Sequence, residues 1–178
     1  MKEIVQDGSS VLRTVAAPVP EKLFGSAELA RTIALMTESL DDQPEGVALA
    51  APQIGIPYRL FIVRKDRALP SVTVPEGAPL PPPPPAEVEV YINPEIVKTS
   101  RRRTKMDEGC LSVRGVYGTT KRHERVTVRA RRASGESFER GGGGIMAQIF
   151  EHEIDHLDGV LFIDHAEHLL HIKHATDA

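Results

Sequence analysis

His152 and His156 stand four residues apart, a spacing with which two imidazoles can share one metal ion. On a helix, residues at this spacing lie on one face, one turn apart. Glu153 completes an HExxH motif, in which the glutamate acts as general base on a water molecule at the metal. We therefore predict a metal site here. The alternative is an amphipathic helix that exposes two unrelated histidines to solvent.

A helical repeat of apolar residues surrounds this motif. The repeat consists of Ile145, Met146, Ile149, Phe150, Ile154 and Leu157. It predicts an amphipathic helix that stops near Gly159, preceded by a flexible run from Gly141 to Gly144. Buried polar groups need partners, so this apolar setting favours a metal site over a solvated face.

Cys110 is the single cysteine, which excludes an internal disulfide. A lone thiol is buried filler, a reactive group or a metal ligand. With His152 and His156 it would form a tripod that leaves a fourth metal position open, as catalytic sites do. A structural zinc site would need a fourth Cys or His, and the sequence has no second cysteine. We therefore predict Cys110 as the third ligand.

The common HExxH peptidases supply their third ligand from elsewhere. Gly159 fits the metzincin continuation HExxHxxGxxH, but Phe162 occupies the place of its last histidine. Other zincins use a glutamate well downstream, whereas the last glutamate here is Glu167, eleven residues after His156. A peptidase that cuts internal peptide bonds therefore stays a weaker alternative.

Other stretches must build the scaffold around this site. Ser26 is a candidate N-cap for a first helix that ends at residues 41–44, and Leu60 to Val63 predicts a buried strand. Between them, the small residues from Gly46 to Gly55 would let the backbone approach another surface or a ligand closely. On composition alone, a tightly packed turn between the helix and the strand is the favoured interpretation. Gln53 is the polar side chain in that turn that can both donate and accept hydrogen bonds.

Three further predictions concern the middle of the chain. Val88 to Ile92 alternates as a half-buried strand that Asn93-Pro94 should turn, and Arg125 to Arg129 predicts a strand with one solvated face. Residues 75–85 hold seven of the fourteen prolines. They predict a stiff, polyproline-like surface loop, with an SH3-type ligand as the alternative.

Basic residues concentrate in residues 98–140, which hold thirteen of the 22 Lys and Arg. A solvated face is the favoured interpretation, and His123 within it should be exposed. A non-catalytic metal module that binds nucleic acid is the alternative, although no aromatic residues are interleaved for base stacking. His165, His168, His171 and His174 recur every three residues and predict one solvated flank of a terminal helix rather than a second metal site.

Composition bounds the class of protein. The 178 residues are 40% hydrophobic and 26% charged. This length and composition predict a single domain over residues 1–178 that can bury a substantial hydrophobic core. The net charge of −3 excludes no partner class. No stretch approaches the ~20 apolar residues of a membrane span, and the N-terminus lacks a signal core. We therefore expect a cytoplasmic protein without a membrane partner.

Three motifs, taken in order, resemble the peptide deformylases. They are Gly46 to Gln53 (GVALAAPQ), Glu108 to Ser112 (EGCLS) and His152 to His156 (HEIDH). Weaker similarity runs through residues 11–13, 92–95 and 159–162, so the resemblance covers nearly the whole chain. It implies an α+β fold in which antiparallel β-sheets surround a central metal-binding helix.

The resemblance also implies an activity. This is the metal-dependent removal of the formyl group from the N-terminal formyl-methionine of newly made polypeptides, which releases formate. The cofactor would be one divalent transition metal, Fe²⁺, which Zn²⁺, Ni²⁺ or Co²⁺ can replace. N-formylated nascent peptides would be the partners, met in transient proximity to the ribosome by a monomeric enzyme.

Roles for individual residues follow from the matched motif positions. Cys110, His152 and His156 would be the ligands, and Glu153 the acid and base. Gln53 and the backbone N–H of Leu111 would face the formyl oxygen; Gly46, Val47 and Gly109 would line the peptide cleft; Glu108 would brace the site through Arg122. Three departures from the family pattern stand out, namely Ala48 for glycine, Arg114 for proline and Glu151 for glutamine.

Overall fold

A computed structural model describes residues 2–68 and 86–172. The helices are α1 (Ala27–Asp41) and α2 (Ile145–Leu157). The strands are β1 (Ala48–Ala50), β2 (Leu60–Arg64), β3 (Val88–Thr99), β4 (Arg103–Cys110), β5 (Val113–His123), β6 (Arg125–Arg131), β7 (Ser137–Gly143) and β8 (Glu167–His171). Short 3₁₀ helices occur at Ser10–Arg13, Glu21–Leu23, Ala51–Ile54 and Phe162–Asp164.

Two antiparallel sheets enclose α2. The larger has the strand order β1-β2-β3-β6-β7, and the smaller has the order β4-β5-β8. Helix α2 contacts β1, β6 and β7 of the larger sheet and β5 of the smaller one. The predicted α+β fold, with antiparallel sheets around a central helix, is therefore confirmed.

The face of α2 that points away from the histidines is anchored by aromatic packing. Phe150 is fully buried, and its ring meets the edge of Tyr91 at 5.4 Å between centroids. Tyr91 stacks on Phe61 from β2 at 4.6 Å. Burying one such side chain stabilises the fold by about 1.5–3 kcal/mol, so this cluster fixes the height and rotation of the helix.

The first helix and the buried strand follow the predicted pattern. The Ser26 hydroxyl accepts a hydrogen bond from Leu29 N, and α1 ends at Asp41. Every residue of β2 is buried. Met36 and Leu40 of α1 pack with β2 in one cluster, which places the end of α1 beside the turn that begins at Gly46.

Two predictions about chain breaks are wrong. Asn93-Pro94 does not turn the chain, because β3 continues to Thr99 through an irregularity in its pairing with β6. Asn93 adopts a φ of 50°, and its side chain bonds both backbone groups of Val19. Residues 141–143 belong to β7 rather than to a flexible run. A Cβ on Gly142 would lie 2.7 Å from Met146 Cβ, so glycine here lets α2 pack against the strand.

The C-terminal histidines do not lie on a helix. His168 and His171 belong to β8, which pairs with β5, and His165 follows the last 3₁₀ helix. All of β8 is exposed, so neither face of this strand requires apolar residues and polar residues can occur at any spacing. His174 and the prolines of residues 75–85 lie outside the described residues.

Within the described part, no helix is both long and apolar enough to cross a membrane.

Candidate active site

The predicted metal ligands converge at one point. His152 and His156 lie one turn apart on α2, with ring centroids 4.9 Å apart. Cys110 ends β4, and its Sγ lies 3.2 Å from His156 Nε2. One ligand atom from each of the three side chains lies within 4.8 Å of the others. Within residues 2–68 and 86–172, this is the one group of His, Cys, Asp and Glu residues with such an arrangement.

The chemistry of these three side chains fits a transition metal. A thiolate and two imidazoles are the ligands that zinc and iron take in proteins. His156 is 1% exposed, and burial holds the pKa of its imidazole well below the usual range. The ring is therefore neutral, which is the protonation state a metal requires. The Gln53 amide and Ser112 N–H both donate toward Cys110 Sγ, which fixes the sulfur at this point.

Glu108 lies directly behind the ligands as a buried carboxylate with many donors. Its Oε1 accepts hydrogen bonds from Arg122 Nη2 at 2.6 Å and from His152 Nδ1 at 2.5 Å. Its Oε2 accepts from Thr120 Oγ1 at 2.6 Å, Arg122 Nε at 3.0 Å and Gln148 Nε2 at 3.3 Å. One carboxylate thus connects β4, β5 and α2.

The charge of Glu108 decides how His152 presents its ring. Burial alone would raise the pKa of the Glu108 carboxyl, but hydrogen bonds from His152 and Arg122 hold that pKa well below its usual range. The ionised carboxylate accepts the Nδ1 proton of His152, which leaves Nε2 for a metal. Arg122 also pairs with Asp155 of α2 at 2.7 Å, so the same guanidinium connects β5 to the helix.

Glu153 presents a second buried carboxylate with a different environment. It is 4% exposed, and burial raises the pKa of its side chain to about 7. Its Oε2 has no hydrogen-bond partner among the described residues. Because Glu153 lines the same cleft as Cys110 and His152, its carboxylate can exchange a proton with a molecule bound there.

Gln53 and Leu111 both lie next to Cys110. Ala50 N donates to Gln53 Oε1 at 2.8 Å, so the amide nitrogen of Gln53 faces Cys110 Sγ at 3.6 Å and Ser112 Oγ at 3.1 Å. Leu111 follows Cys110 in the turn between β4 and β5 and lines the cleft. The structure therefore places both residues predicted to bind the formyl oxygen next to Cys110, one of the predicted metal ligands.

A cleft of about 750 Å³ opens in front of these residues. Gly46, Val47 and Gly109, which were predicted to bind substrate, are among its lining residues. A Cβ on Gly46 would lie 2.8 Å from Leu40 Cδ1, and one on Gly109 would lie 2.8 Å from the Tyr117 ring. Glycine at these two positions therefore lets the cleft walls pack tightly.

Sequence reasoning missed two residues that support the site. Gln148 lies one turn before His152, and its amide donates to Asp107 O at 2.8 Å as well as to Glu108. The four-residue spacing places Gln148 and His152 on the same face of the helix, so the sequence could have predicted that Gln148 lies beside the site. Arg67 Nη1 donates to Gln43 O and Gly46 O, each at 2.8 Å, and so holds the cleft wall. No motif marks Arg67, because its partners are backbone carbonyls.

The prediction that His123 is exposed is wrong. Its backbone N and its Nδ1 lie 2.8 and 2.7 Å from the carboxylate oxygens of Glu151, and its side chain is 16% exposed. Glu151 is one of the three departures from the family pattern, and here it connects α2 to β5. The basic stretch is thus partly structural, since Arg122 within it is also buried.

The ligand assignment predicts the metal content of variants. Removing one of three ligands should weaken binding by more than about 100-fold, the upper range for loss of an outer partner. We expect Cys110→Ala and His156→Ala to retain little metal after dialysis, while the exposed control His168→Ala keeps about one ion per chain. Elemental analysis of the purified variants measures this. A full metal complement in Cys110→Ala would contradict the assignment.

Comparison with known proteins supplies the family. The family model described as polypeptide deformylase matches residues 1–171. The peptide deformylase of Salinibacter ruber is 40% identical over 158 residues, which are 89% of this chain and 76% of that protein. That of Dehalococcoides mccartyi strain CBDB1 is 37% identical over 94% of this chain and 87% of its own length.

Comparison with solved structures identifies the same family. A peptide deformylase from Thermotoga maritima superposes with a TM-score of 0.77 at 33% identity, covering 94% of this chain and 99% of that one. An actinonin-bound class I type b peptide deformylase from Acinetobacter baumannii gives a TM-score of 0.78 at 32% identity, covering 93% and 98%. With the sequence match and the fold in agreement over nearly the whole length, the chain belongs to the polypeptide deformylase family.

Proposed function

We propose that the chain removes the formyl group from the N-terminal formyl-methionine of newly made polypeptides and releases formate. The observation that carries this proposal is the buried carboxylate of Glu153. Its Oε2 has no hydrogen-bond partner among the described residues, and Glu153 lines the same cleft as Cys110 and His152. A monomeric enzyme is part of the same proposal. Its substrates would be nascent chains in the cytoplasm, which the enzyme would bind close to the ribosome.

Cys110, His152 and His156 would hold one divalent transition metal. Bound there, the metal supplies Lewis acidity and makes water nucleophilic near neutral pH. We propose Fe²⁺ as the native ion, with Zn²⁺, Ni²⁺ and Co²⁺ able to replace it, because a thiolate with two imidazoles suits all four. The thiolate also makes the site sensitive to oxidation, since sulfur can be oxidised stepwise.

Glu153 would move the proton that the reaction requires. Its Oε2 takes a proton from the attacking water as the new C–O bond forms at the formyl carbon. The same oxygen then gives the proton to the amine nitrogen as the C–N bond breaks, so the carboxylate ends as it began. Burial and the absence of a competing partner on Oε2 keep this oxygen available for both steps.

The oxygen of the formyl group would be stabilised by two N–H donors. Gln53 offers its amide nitrogen, which Ala50 N orients through Oε1. Leu111 offers its backbone N–H from the turn after Cys110. Donors fixed before the reaction stabilise developing negative charge without reorganisation, and removing one such donor costs about 10²–10³ in turnover in other acyl-transfer enzymes.

The rest of the cleft suits a peptide that carries an apolar first side chain. Val47, Ile145 and Ile149 are among the residues that line it, and an unbranched methionine side chain fills such an apolar pocket well. Gly46 and Gly109 would border the substrate backbone, and the lack of a Cβ at each lets Leu40 and the Tyr117 ring pack closely against the cleft wall.

A formate assay tests the function directly. Metal-loaded protein should release formate from a formyl-Met peptide and leave internal peptide bonds intact, because the proposed site acts on the formyl group at the peptide N-terminus. An acetyl-Met peptide of the same sequence serves as the matched control and should react far more slowly. Cleavage of internal bonds would instead support a peptidase, and no reaction by folded, metal-loaded protein would overturn the proposal.

Replacing Glu153 separates proton transfer from metal binding. Glu153→Gln keeps the size of the side chain but cannot accept a proton, so formate release should fall by about 10²–10⁴. Metal content should stay near one ion per chain. Glu151→Gln makes the same chemical change two residues away, outside the cleft lining, and should stay within roughly tenfold of the parent. A loss of metal in Glu153→Gln would make Glu153 a ligand.

A further inference from the structure

One wall of the cleft carries an arginine that the proposed reaction does not use. Arg114 is the one Lys or Arg among the described residues that line the cleft. It stands where the family pattern has proline. Four carboxylates line the same cleft, with Glu108 and Glu153 buried and Glu45 and Asp107 exposed. A charged group on a bound substrate would interact electrostatically with this single cation.

A bulge in the β4–β5 hairpin projects Arg114. The register passes from Cys110↔Val113 to Gly109↔Tyr117, so residues 114–116 have no partner on β4. Gly115 within the bulge has a φ of 72°, which favours glycine. Ile172 N donates to Gly115 O at 2.7 Å, which holds the bulge in place.

The side chain of Arg114 reaches to the opposite wall. Its Nη2 donates to Gln43 Oε1 at 3.1 Å. Gln43 is itself held, because its carbonyl oxygen accepts from Arg67 Nη1 at 2.8 Å. A guanidinium has five N–H donors, and this contact is the one side-chain hydrogen bond of Arg114 to described residues. The remaining donors are free to bind an anionic group.

Glu45 is the charge that would oppose such binding. It lies two residues from Gln43, is exposed, and lines the cleft. Unlike Arg114, it makes no hydrogen bond or ion pair with another described residue. A solvated carboxylate without a fixed position is screened by water and salt, whereas the anchored guanidinium presents its charge at a defined place.

We infer that Arg114 makes the enzyme prefer peptides with a carboxylate side chain among the residues that follow formyl-methionine. This inference rests on the proposed function. A peptide that leaves the metal site along the cleft would pass over the contact that the guanidinium makes with Gln43. The site is exposed, so the preference should be modest, about twofold to fivefold in kcat/KM.

A charge series of peptides tests the inference. C-terminally amidated formyl-Met peptides carry Glu, Gln or Lys at position two, three or four, and formate release gives kcat/KM for each. At one position or more, Glu should exceed Gln by about twofold to fivefold, and Lys should fall below Gln. Raising the salt concentration from about 0.05 M to about 0.5 M should shrink the difference, because exposed charges are screened.

Variants assign the preference to one residue. Arg114→Gln should bring the Glu-to-Gln ratio to about one, and Arg114→Lys should keep most of it because the charge remains. Arg101→Gln removes an exposed cation outside the cleft lining and should leave the ratio unchanged.

Several results would overturn the inference. One is equal kcat/KM for Glu, Gln and Lys at all three positions, and another is a ratio that persists in Arg114→Gln. A preference seen only with free C-terminal carboxylates, and lost in the amides, would contradict the side-chain origin. Formate release from the Gln peptides shows that the proposed function holds in each of these cases. Its absence from every peptide would instead remove the proposed function, and the inference with it.

Discussion

The buried carboxylate of Glu108 is the interaction on which the rest of the site depends. An ionised carboxylate is costly to bury unless donors surround it. Here β5 supplies Thr120 and Arg122, and α2 supplies Gln148 and His152. Those donors fix the distance between hairpin and helix. Because Cys110 lies two residues beyond Glu108 on β4, the same bonds bring its sulfur to the histidines.

Packing on the far side of α2 complements this polar network. Phe150 holds the helix against Phe61 and Tyr91, and glycine at position 142 lets β7 approach it closely. The helix is therefore held between an apolar face and a charged one, which fixes its rotation. Catalytic geometry needs such rigidity, since a displacement of about 1 Å can cost 10²-fold in rate.

Features with local causes were predictable from the sequence. The period of α2, the Ser26 cap and the buried β2 each depend on neighbours along the chain, and motif spacing identified the ligand candidates. Features that depend on distant partners were not predictable in the same way. Asn93 keeps its left-handed backbone because Val19 lies beside it, and His123 is covered because Glu151 faces it. The bulge that carries Arg114 likewise follows from pairing with β4 and β8.

The most direct test of this dependence is the metal affinity of Glu108→Gln, measured by competition with a chelator. Losing the carboxylate that orients His152 should weaken metal binding by about 10–100-fold. Asp107→Asn, which neutralises the exposed neighbour, should bind like the parent. Adding Arg122→Met to Glu108→Gln removes the buried cation that has lost one of its two carboxylate partners, so a folded variant can be compared. Unchanged affinity in folded Glu108→Gln would contradict a controlling role for this carboxylate.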